Sequence, residues 1–324
     1  MEEAGAALVK HYRDLAFMGF VEVARNLRTI FRNIAFCKRD ILEFKPDVLV
    51  LIDYPGFNLR IARWAKTQGI RVAYYISPQL WAWHASRAHA IRRDVDKLLV
   101  ILPFEQEFFR KYGIDAEFIG HPLLDEIVAE PETRSELSNQ ISLLPGSRKQ
   151  EVSRILPRML EITDAFPEFE FVVAGATSLP KAYYQTFLSG YPKVRLVQGQ
   201  TYEILRNSKA ALIKSGTSTL ETALLDVPQV VCYTGNWLSY RIARQLIQVK
   251  YISLVNLILD RPLVQELIQD DLNKENLTSA LTEILQPENA AAMRAGYAEL
   301  RKVLGGGGAS ERAAKAILKE ARAR

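Results

Sequence analysis

Between Ile141 and Glu151 the chain reads Ile-Ser-Leu-Leu-Pro-Gly-Ser-Arg-Lys-Gln-Glu, an apolar run of strand length that enters a Gly-Ser turn and then a polar, cationic helix start. Residues of these types in this order can hold an anion. The first N–H groups of a helix have no internal acceptor, the helix dipole adds partial positive charge, and a glycine lets a ligand approach the backbone. Gly146, Ser147 and Arg148 are therefore candidate phosphate ligands. The same letters also fit a capping box of Ser147 with Gln150 beside solvated cations, and the stretch alone leaves both readings open.

A second stretch of this kind, Ser215-Gly216-Thr217-Ser218-Thr219-Leu220-Glu221, follows the apolar run Ala-Ala-Leu-Ile-Lys. Ser215, Gly216, Thr217 and Ser218 offer hydroxyl and backbone donors to phosphate oxygens, and Glu221 can accept both hydroxyls of a ribose. Its competing reading is a capping box of Ser218 with Glu221. Two anion-ready helix starts without the Walker Gly-Lys-Ser/Thr spacing point to a nucleotide diphosphate held without a P-loop.

Asp53 closes another apolar run, Val48 to Ile52, and precedes the turn Tyr-Pro-Gly-Phe-Asn. A carboxylate at a strand end can take a proton from an acceptor hydroxyl, or it can cap the following helix. Around a further helix start, Trp81, Trp83, His84, Arg87, His89, Arg92 and Arg93 mix indoles with cations. They suit an acceptor that carries phosphate and lipid, or equally a solvated basic helix over two packed tryptophans. Met18 and Phe20, in the apolar segment 12–20, join Trp81, Trp83, Arg87, Arg92 and Arg93 as acceptor or membrane candidates. His121, in Gly-His-Pro, reads as a histidine packed in a turn. No Ser/His/Asp set, Cys/His pair or zinc spacing is evident, so neither metal nor cofactor is expected.

The elements that must position these groups follow from periodicity. Residues 23–44 repeat at helical spacing, with Val23, Leu27, Ile30, Phe31, Ile34, Ile41 and Leu42 on one face and Arg25, Arg28, Arg32 and Arg39 on the other. Val48 to Ile52 reads as a strand buried on both faces, with further strands at Arg71 to Ile76, Lys97 to Leu102 and Glu117 to Gly120 and helices between them. The polar stretch Pro131 to Asn139 is the best linker. Alternation then restarts: strands at 141–144, 169–174, 194–197, 210–214 and 229–232, with helices after each, the first reaching Ala165. From Leu272 the chain reads as helix, broken by the hinge Gly305 to Gly308. This is the α/β pattern of two tandem Rossmann-like domains with parallel sheets facing a cleft: 1–137, 138–300, and a segment 301–324 that returns to the first domain or to a partner. In such sheets ligands lie beyond the strands' carboxyl ends, where Asp53, Ser77 to Trp83, the Gly146-Ser147-Arg148 turn, Gly175, the Ser215 to Glu221 turn and Gly235-Asn236 fall.

With 324 residues, 48% hydrophobic and 24% charged, the chain has the composition of an ordinary globular protein long enough for two domains. A net charge of +5 suits phosphorylated substrates or an anionic membrane surface and is too small and dispersed to point to nucleic acid. Cys37 and Cys232 sit far apart in apolar runs and read as buried free thiols of a reducing compartment. No run is long enough to cross a membrane and the first residues lack a signal peptide's pattern, so a cytoplasmic protein touching the membrane peripherally is expected.

Eight motifs, in order, carry a resemblance to a known family: Phe-Met-Gly-Phe-Val-Glu-Val (17–23), Ile-Asp-Tyr-Pro-Gly-Phe-Asn (52–58), Ser-Pro-Gln-Leu-Trp-Ala-Trp (77–83), Leu-Pro-Phe-Glu (102–105), Gly-His-Pro-Leu (120–123), Leu-Leu-Pro-Gly-Ser-Arg (143–148), Ser-Gly-Thr-Ser-Thr-Leu-Glu (215–221) and Ile-Ser-Leu-Val-Asn-Leu (252–257). Together they resemble lipid-A-disaccharide synthase, a glycosyltransferase of family 19. The resemblance implies a GT-B fold and a metal-independent, inverting hexosyl transfer. UDP-2,3-diacylglucosamine would be joined to 2,3-diacylglucosamine 1-phosphate, giving the β-1,6 disaccharide precursor of lipid A and UDP. It further implies Asp53 as base, Ser147 and Arg148 at the diphosphate, Thr217 and Glu221 at phosphate and ribose, and Asn256 near the uracil end. A homodimer with exchanged C-terminal segments and peripheral contact with the cytoplasmic face of the inner membrane come with the family. The family's usual opening strand and Gly-Glu-x-Ser-Gly-Asp turn have no counterpart before the first matched motif, so the first sheet is expected to be incomplete. Gly56 stands where many relatives carry Asp, and Val255 where proline is common. Two alternatives remain: another GT-B enzyme of UDP-sugars, such as an epimerase or cell-wall glycosyltransferase, or a nucleotide-sugar or lipid-binding module without catalysis.

Overall fold

Runs such as Phe171-Val172-Val173-Ala174 and Ala210-Ala211-Leu212-Ile213 are apolar on both faces and need a covering layer on each side. Crossover helices supply that layer to a parallel sheet. The computed structural model describes residues 4–10, 27–83, 85–127, 139–235 and 249–322. Its first part runs α1 (Leu27–Phe44), β1 (Leu49–Ile52), α2 (Pro55–Thr67), β2 (Val72–Tyr75), α3 (Ala88–Asp94), β3 (Lys97–Val100), α4 (Glu105–Arg110), β4 (Ala116–Phe118) and α5 (Leu123–Glu126). The four strands form one parallel sheet in the order β1-β2-β3-β4.

The second part continues β5 (Gln140–Leu144), α6 (Lys149–Leu160), β6 (Glu170–Gly175), α7 (Lys181–Leu188), β7 (Arg195–Gln198), α8 (Thr201–Arg206), β8 (Ala210–Lys214), α9 (Thr217–Leu224), β9 (Gln229–Tyr233), α10 (Leu254–Leu259) and β10 (Gln265–Ile268). Helices α11 (Lys274–Leu285), α12 (Pro287–Val303) and α13 (Ala309–Arg322) follow. Six parallel strands stand in the order β10-β9-β8-β5-β6-β7. Their core is nearly all aliphatic, from Ile141 and Leu143 through Leu212 and Val231 to Leu300 on α12.

After the glycines 305–308 the chain leaves the six-stranded sheet and α13 packs against β2, β3 and α5 of the first sheet. Ala313 joins Leu99 and Ile119 in a small core there. Arg71 pairs with Glu320 at 2.8 Å, and the Arg312 Nε donates to the Ile119 carbonyl at 2.8 Å.

Several expectations are corrected. β1 is the outer strand of its sheet as described, with one strand neighbour, and only Leu51 on it is buried while Ile52 is 41% exposed. The apolar face of α1 centres on Ile34 and Ile41, which leaves Phe31 and Leu42 exposed. α6 stops at Leu160, with Thr163–Ala165 a separate single turn, and Cys37 is half-buried rather than buried. Strand β10 was not anticipated: Gln265 and Glu266 dilute its apolar signal, as suits an edge strand. The apolar segment 12–20, most of the linker 131–139 and the helix expected after Cys232 lie outside the described residues. Among the described residues no helix is long and apolar enough to cross a membrane.

Candidate active site

In the larger sheet the chain lays down β5, β6 and β7 toward one edge, then returns beside β5 to lay down β8, β9 and β10 toward the other. The order therefore reverses between β5 and β8, and the two connecting loops diverge there and open a crevice at the strands' carboxyl ends. The turn after β5 is Pro145 to Arg148, and the turn after β8 is Ser215 and Gly216. The two stretches singled out by their anion chemistry are thus brought together. A cavity of about 440 Å³ opens between them, lined among others by Ser147, Arg148, Glu151, Lys214, Thr217 and Glu221.

Glu151 organises the first half of this cradle. Its carboxylate accepts the N–H groups of Ser147 (3.1 Å) and Arg148 (3.3 Å), the Arg148 guanidinium (2.9 Å) and the Lys214 ammonium (3.1 Å). Burial pushes the Glu151 carboxyl up, but Lys214 foremost, with the Ser147 N–H and Arg148, holds it below its ordinary value. The expected pairing of Ser147 with Gln150 is replaced, because the helix begins one residue later, with Arg148 as N-cap and Glu151 in the third helical position. Ser147 instead receives the Ser178 hydroxyl on its carbonyl at 3.1 Å. Neither Lys214 nor Glu151 stood out in the sequence, since a lysine ending an apolar run and a glutamate in a first helical turn are both commonplace.

At the second helix start the N-cap is Gly216, and the Ser218 hydroxyl turns back to the Lys214 carbonyl at 3.4 Å. Ser215 donates its hydroxyl to the Ile252 carbonyl at 2.8 Å, which ties this turn to the loop before α10. Glu221 does not cap the helix. It lies near Tyr202 and near Glu126 of α5, so burial first and the second carboxylate next raise its pKa. Tyr202 interacts with both carboxylates, which makes it a bridge between the two sheets' layers that sequence reasoning missed.

Asn256, on α10, is tied into the fold by its side chain. Its side-chain N–H₂ donates to the Val264 carbonyl (2.8 Å) and Glu266 (2.9 Å), and its oxygen accepts the Val264 N–H at 2.9 Å. The side chain is buried and its bonding capacity is used inside the fold, where it holds the loop around Ser253.

Asp53 stands at the carboxyl end of β1, exposed, with φ of 44°, and Tyr54 follows at 43°. Two consecutive left-handed non-glycine residues are costly, and such strain persists where the surroundings enforce it. Here they do: the Asp53 carbonyl receives the Tyr74 hydroxyl at 2.6 Å and the Asn58 amide at 2.7 Å. The N-cap position of α2 is Tyr54, so Asp53 is not its cap.

The aromatic and basic group divides. Trp81 donates its indole N–H to Glu105 at 3.2 Å and meets Phe104 edge to face, whereas Trp83 is 51% exposed. Arg93 forks onto Asp94 at 2.7 and 2.6 Å, the Arg92 guanidinium lies over Gly113, and Arg87 is near Tyr74. Met18, Phe20 and His84 lie outside the described residues. His121 is buried, and its Nδ1 accepts the Leu123 N–H at 3.2 Å, which matches the turn-packing reading.

Two parallel-stranded Rossmann-like layers, with a cleft at the strands' carboxyl ends, define the GT-B class. The backbone resembles that of a crystallised glycosyltransferase of kitacinnamycin (TM-score 0.64, 16% identity, 98% of this chain and 87% of that one). It also resembles UDP-GlcNAc 2-epimerase from Neisseria meningitidis, solved with UDP-GlcNAc bound (TM-score 0.63, 17% identity, 94% and 83%). At those identities the likeness is one of fold. In sequence, residues 1–320 match the family model described as Lipid-A-disaccharide synthetase, and the lipid-A-disaccharide synthase of Syntrophus aciditrophicus (strain SB) is 42% identical over 330 aligned positions, covering 97% of this chain and 86% of that protein. The chain belongs to the lipid-A-disaccharide synthase family, a family of hexosyltransferases.

Proposed function

We propose that the chain transfers the sugar of UDP-2,3-diacylglucosamine to the 6-hydroxyl of 2,3-diacylglucosamine 1-phosphate, with inversion, forming the β-1,6 lipid A disaccharide precursor and releasing UDP. The observation that carries this is the convergence of Ser147, Arg148, Lys214 and the 215–218 turn on one cavity at the switch point, in a chain of this family. There the diphosphate takes the N–H groups and cations, and Glu221 takes the ribose hydroxyls. Arg148 offsets negative charge as the UDP leaving group departs, where such help lowers the barrier most. Residues 1–137 supply the acceptor side, 138–300 the donor side, and 301–324 ties the two. Asp53 is the base: it is exposed, fixed by an enforced backbone, and at the carboxyl end of a strand.

The exposed Trp83, with Arg87 and Arg92 on the same segment, suits an acceptor whose acyl chains remain in a bilayer, and hence peripheral contact with the cytoplasmic face of the inner membrane. A homodimer with exchanged C-terminal segments is compatible with the hinge, because α13 can make the same contacts on a second copy. The test of the base is Asp53→Asn, assayed with both acylated substrates. Transfer is expected to fall by about 10²–10⁴-fold, while UDP still raises the melting temperature. Turnover equal to that of the unaltered chain removes Asp53 from the role.

A further inference from the structure

The cradle read above as a diphosphate site already holds an anion, and that anion belongs to the chain. Glu151 receives two backbone N–H groups of the helix start and, through its other oxygen, Arg148 and Lys214. Capping alone requires only the first pair of bonds, and glutamine supplies them as well as glutamate does. The additional ion pair with Lys214 reaches across from α6 to the end of β8, on the other side of the switch point. Both side chains are largely covered, at 16% and 20% exposure, so their attraction is less screened than that of a surface pair. The backbone is shaped around this arrangement: a Cβ at Gly146 would lie 2.6 Å from the Glu151 Oε2.

We infer that Glu151 is an internal competitor for the donor's diphosphate: its carboxylate occupies the N–H groups and Lys214 while the site is empty, yields them to phosphate oxygens on binding, and reclaims them as UDP leaves. The inference rests on the diphosphate reading of the cradle and adds two residues to it. Lys214 is the cation exchanged, and Glu151 is the residue that sets how tightly the nucleotide is held. A diphosphate beside an ionised Glu151 meets like charge at contact range, so the carboxylate must withdraw or the anion binds more weakly. The functional consequence is product release. Two cations and a dipole without a counter-anion would retain UDP, and binding energy spent equally on product gives no advantage to turnover.

Glu151→Gln isolates the charge, because glutamine keeps an acceptor for the Ser147 and Arg148 N–H groups. Calorimetric titration of the full chain with UDP, and with uridine as the phosphate-free control, reads the exchange. Glu151→Gln should bind UDP about tenfold more tightly than the unaltered chain, the worth of one like charge in a largely covered site that still meets solvent, with uridine binding unchanged. Lys214→Met should weaken UDP binding by a similar factor, again without effect on uridine, and it reads the same exchange should the glutamine variant prove too unstable to titrate. UDP affinity in Glu151→Gln equal to or below that of the unaltered chain overturns the inference and leaves the donor site standing, as does unchanged UDP affinity in Lys214→Met. If the unaltered chain binds no UDP at all, the donor-site reading itself falls, and the competition with it.

Discussion

Three residues at the switch point show how far single positions could be read. Gly146 was legible for its ability to let a ligand approach, but the structure gives a stronger reason: its φ is +108° and its Cα faces the Glu151 carboxylate. Arg148 was legible as a cation beside a turn. Lys214 was not, because nothing along the chain brings residue 214 near residue 151; only the pairing of β5 with β8 does that. Gly146→Ala follows from this geometry. A side chain must adopt an unfavourable φ and displace Glu151, so stability should fall by about 1–3 kcal/mol in urea denaturation. An alanine variant with undiminished stability would mean that the turn relaxes to another conformation at little cost.

At the scale of elements, the strands and helices of both halves were legible because buried parallel strands write continuous apolar runs. The parts that failed are those where burial is one-sided: β1 at an edge, and β10, whose Gln265 and Glu266 hide a short strand. The loops after the first sheet's strands depend on long-range polar contacts that no periodicity records. Glu105, on α4, is buried and accepts the Ser77 hydroxyl at 2.7 Å, the Trp81 indole and the N–H groups of Ile101 and Leu102, so one carboxylate fixes the whole 77–83 segment. His121, just after β4, carries the pH dependence of the same region. Burial pushes its pKa from 6.5 down to about 4. The native state thus disfavours the charged imidazole while the unfolded chain accepts a proton below pH 6.5, so the unfolded state binds more protons between those values. Stability from this group is complete above about pH 6.5 and is lost as the pH falls toward 4, at up to about 1.4 kcal/mol per pH unit. Urea denaturation at pH 7 and pH 5 should show a smaller loss for His121→Asn, which keeps an acceptor and removes the titration. Equal losses in the two proteins would mean that His121 is protonated in the native state at no cost.

At the scale of the whole molecule, the sequence order of elements was readable and their spatial order was not. Two tandem β/α arrays can be counted along the chain, but the reversal at β5 and β8 that creates the cleft is a matter of handed crossovers filling both sides of a sheet. The other long-range feature is the return of α13, which ties the end of the chain to the first sheet after α12 has packed on the second. Asp125, at the end of that first array, fastens it: its carboxylate accepts the N–H groups of Gly308, Ala309 (3.2 Å) and Ser310 (2.8 Å), the unsatisfied donors of the α13 start. These bonds hold the Asp125 carboxyl below its ordinary value although burial acts in the opposite sense. A cap of this kind contributes about 1 kcal/mol, and it acts on one helix rather than on the whole fold. Asp125→Ala should therefore speed amide exchange in α13 and in β2 and β3 beneath it, and leave β5, β6 and β8 protected as before. Because α13 links the first sheet to the second, its loosening should lower turnover more than UDP affinity, since the Glu151 and Lys214 cradle is held by bonds within the second array. Exchange that rises equally in both sheets would show that they open as one cooperative unit, with α13 no more than another part of it.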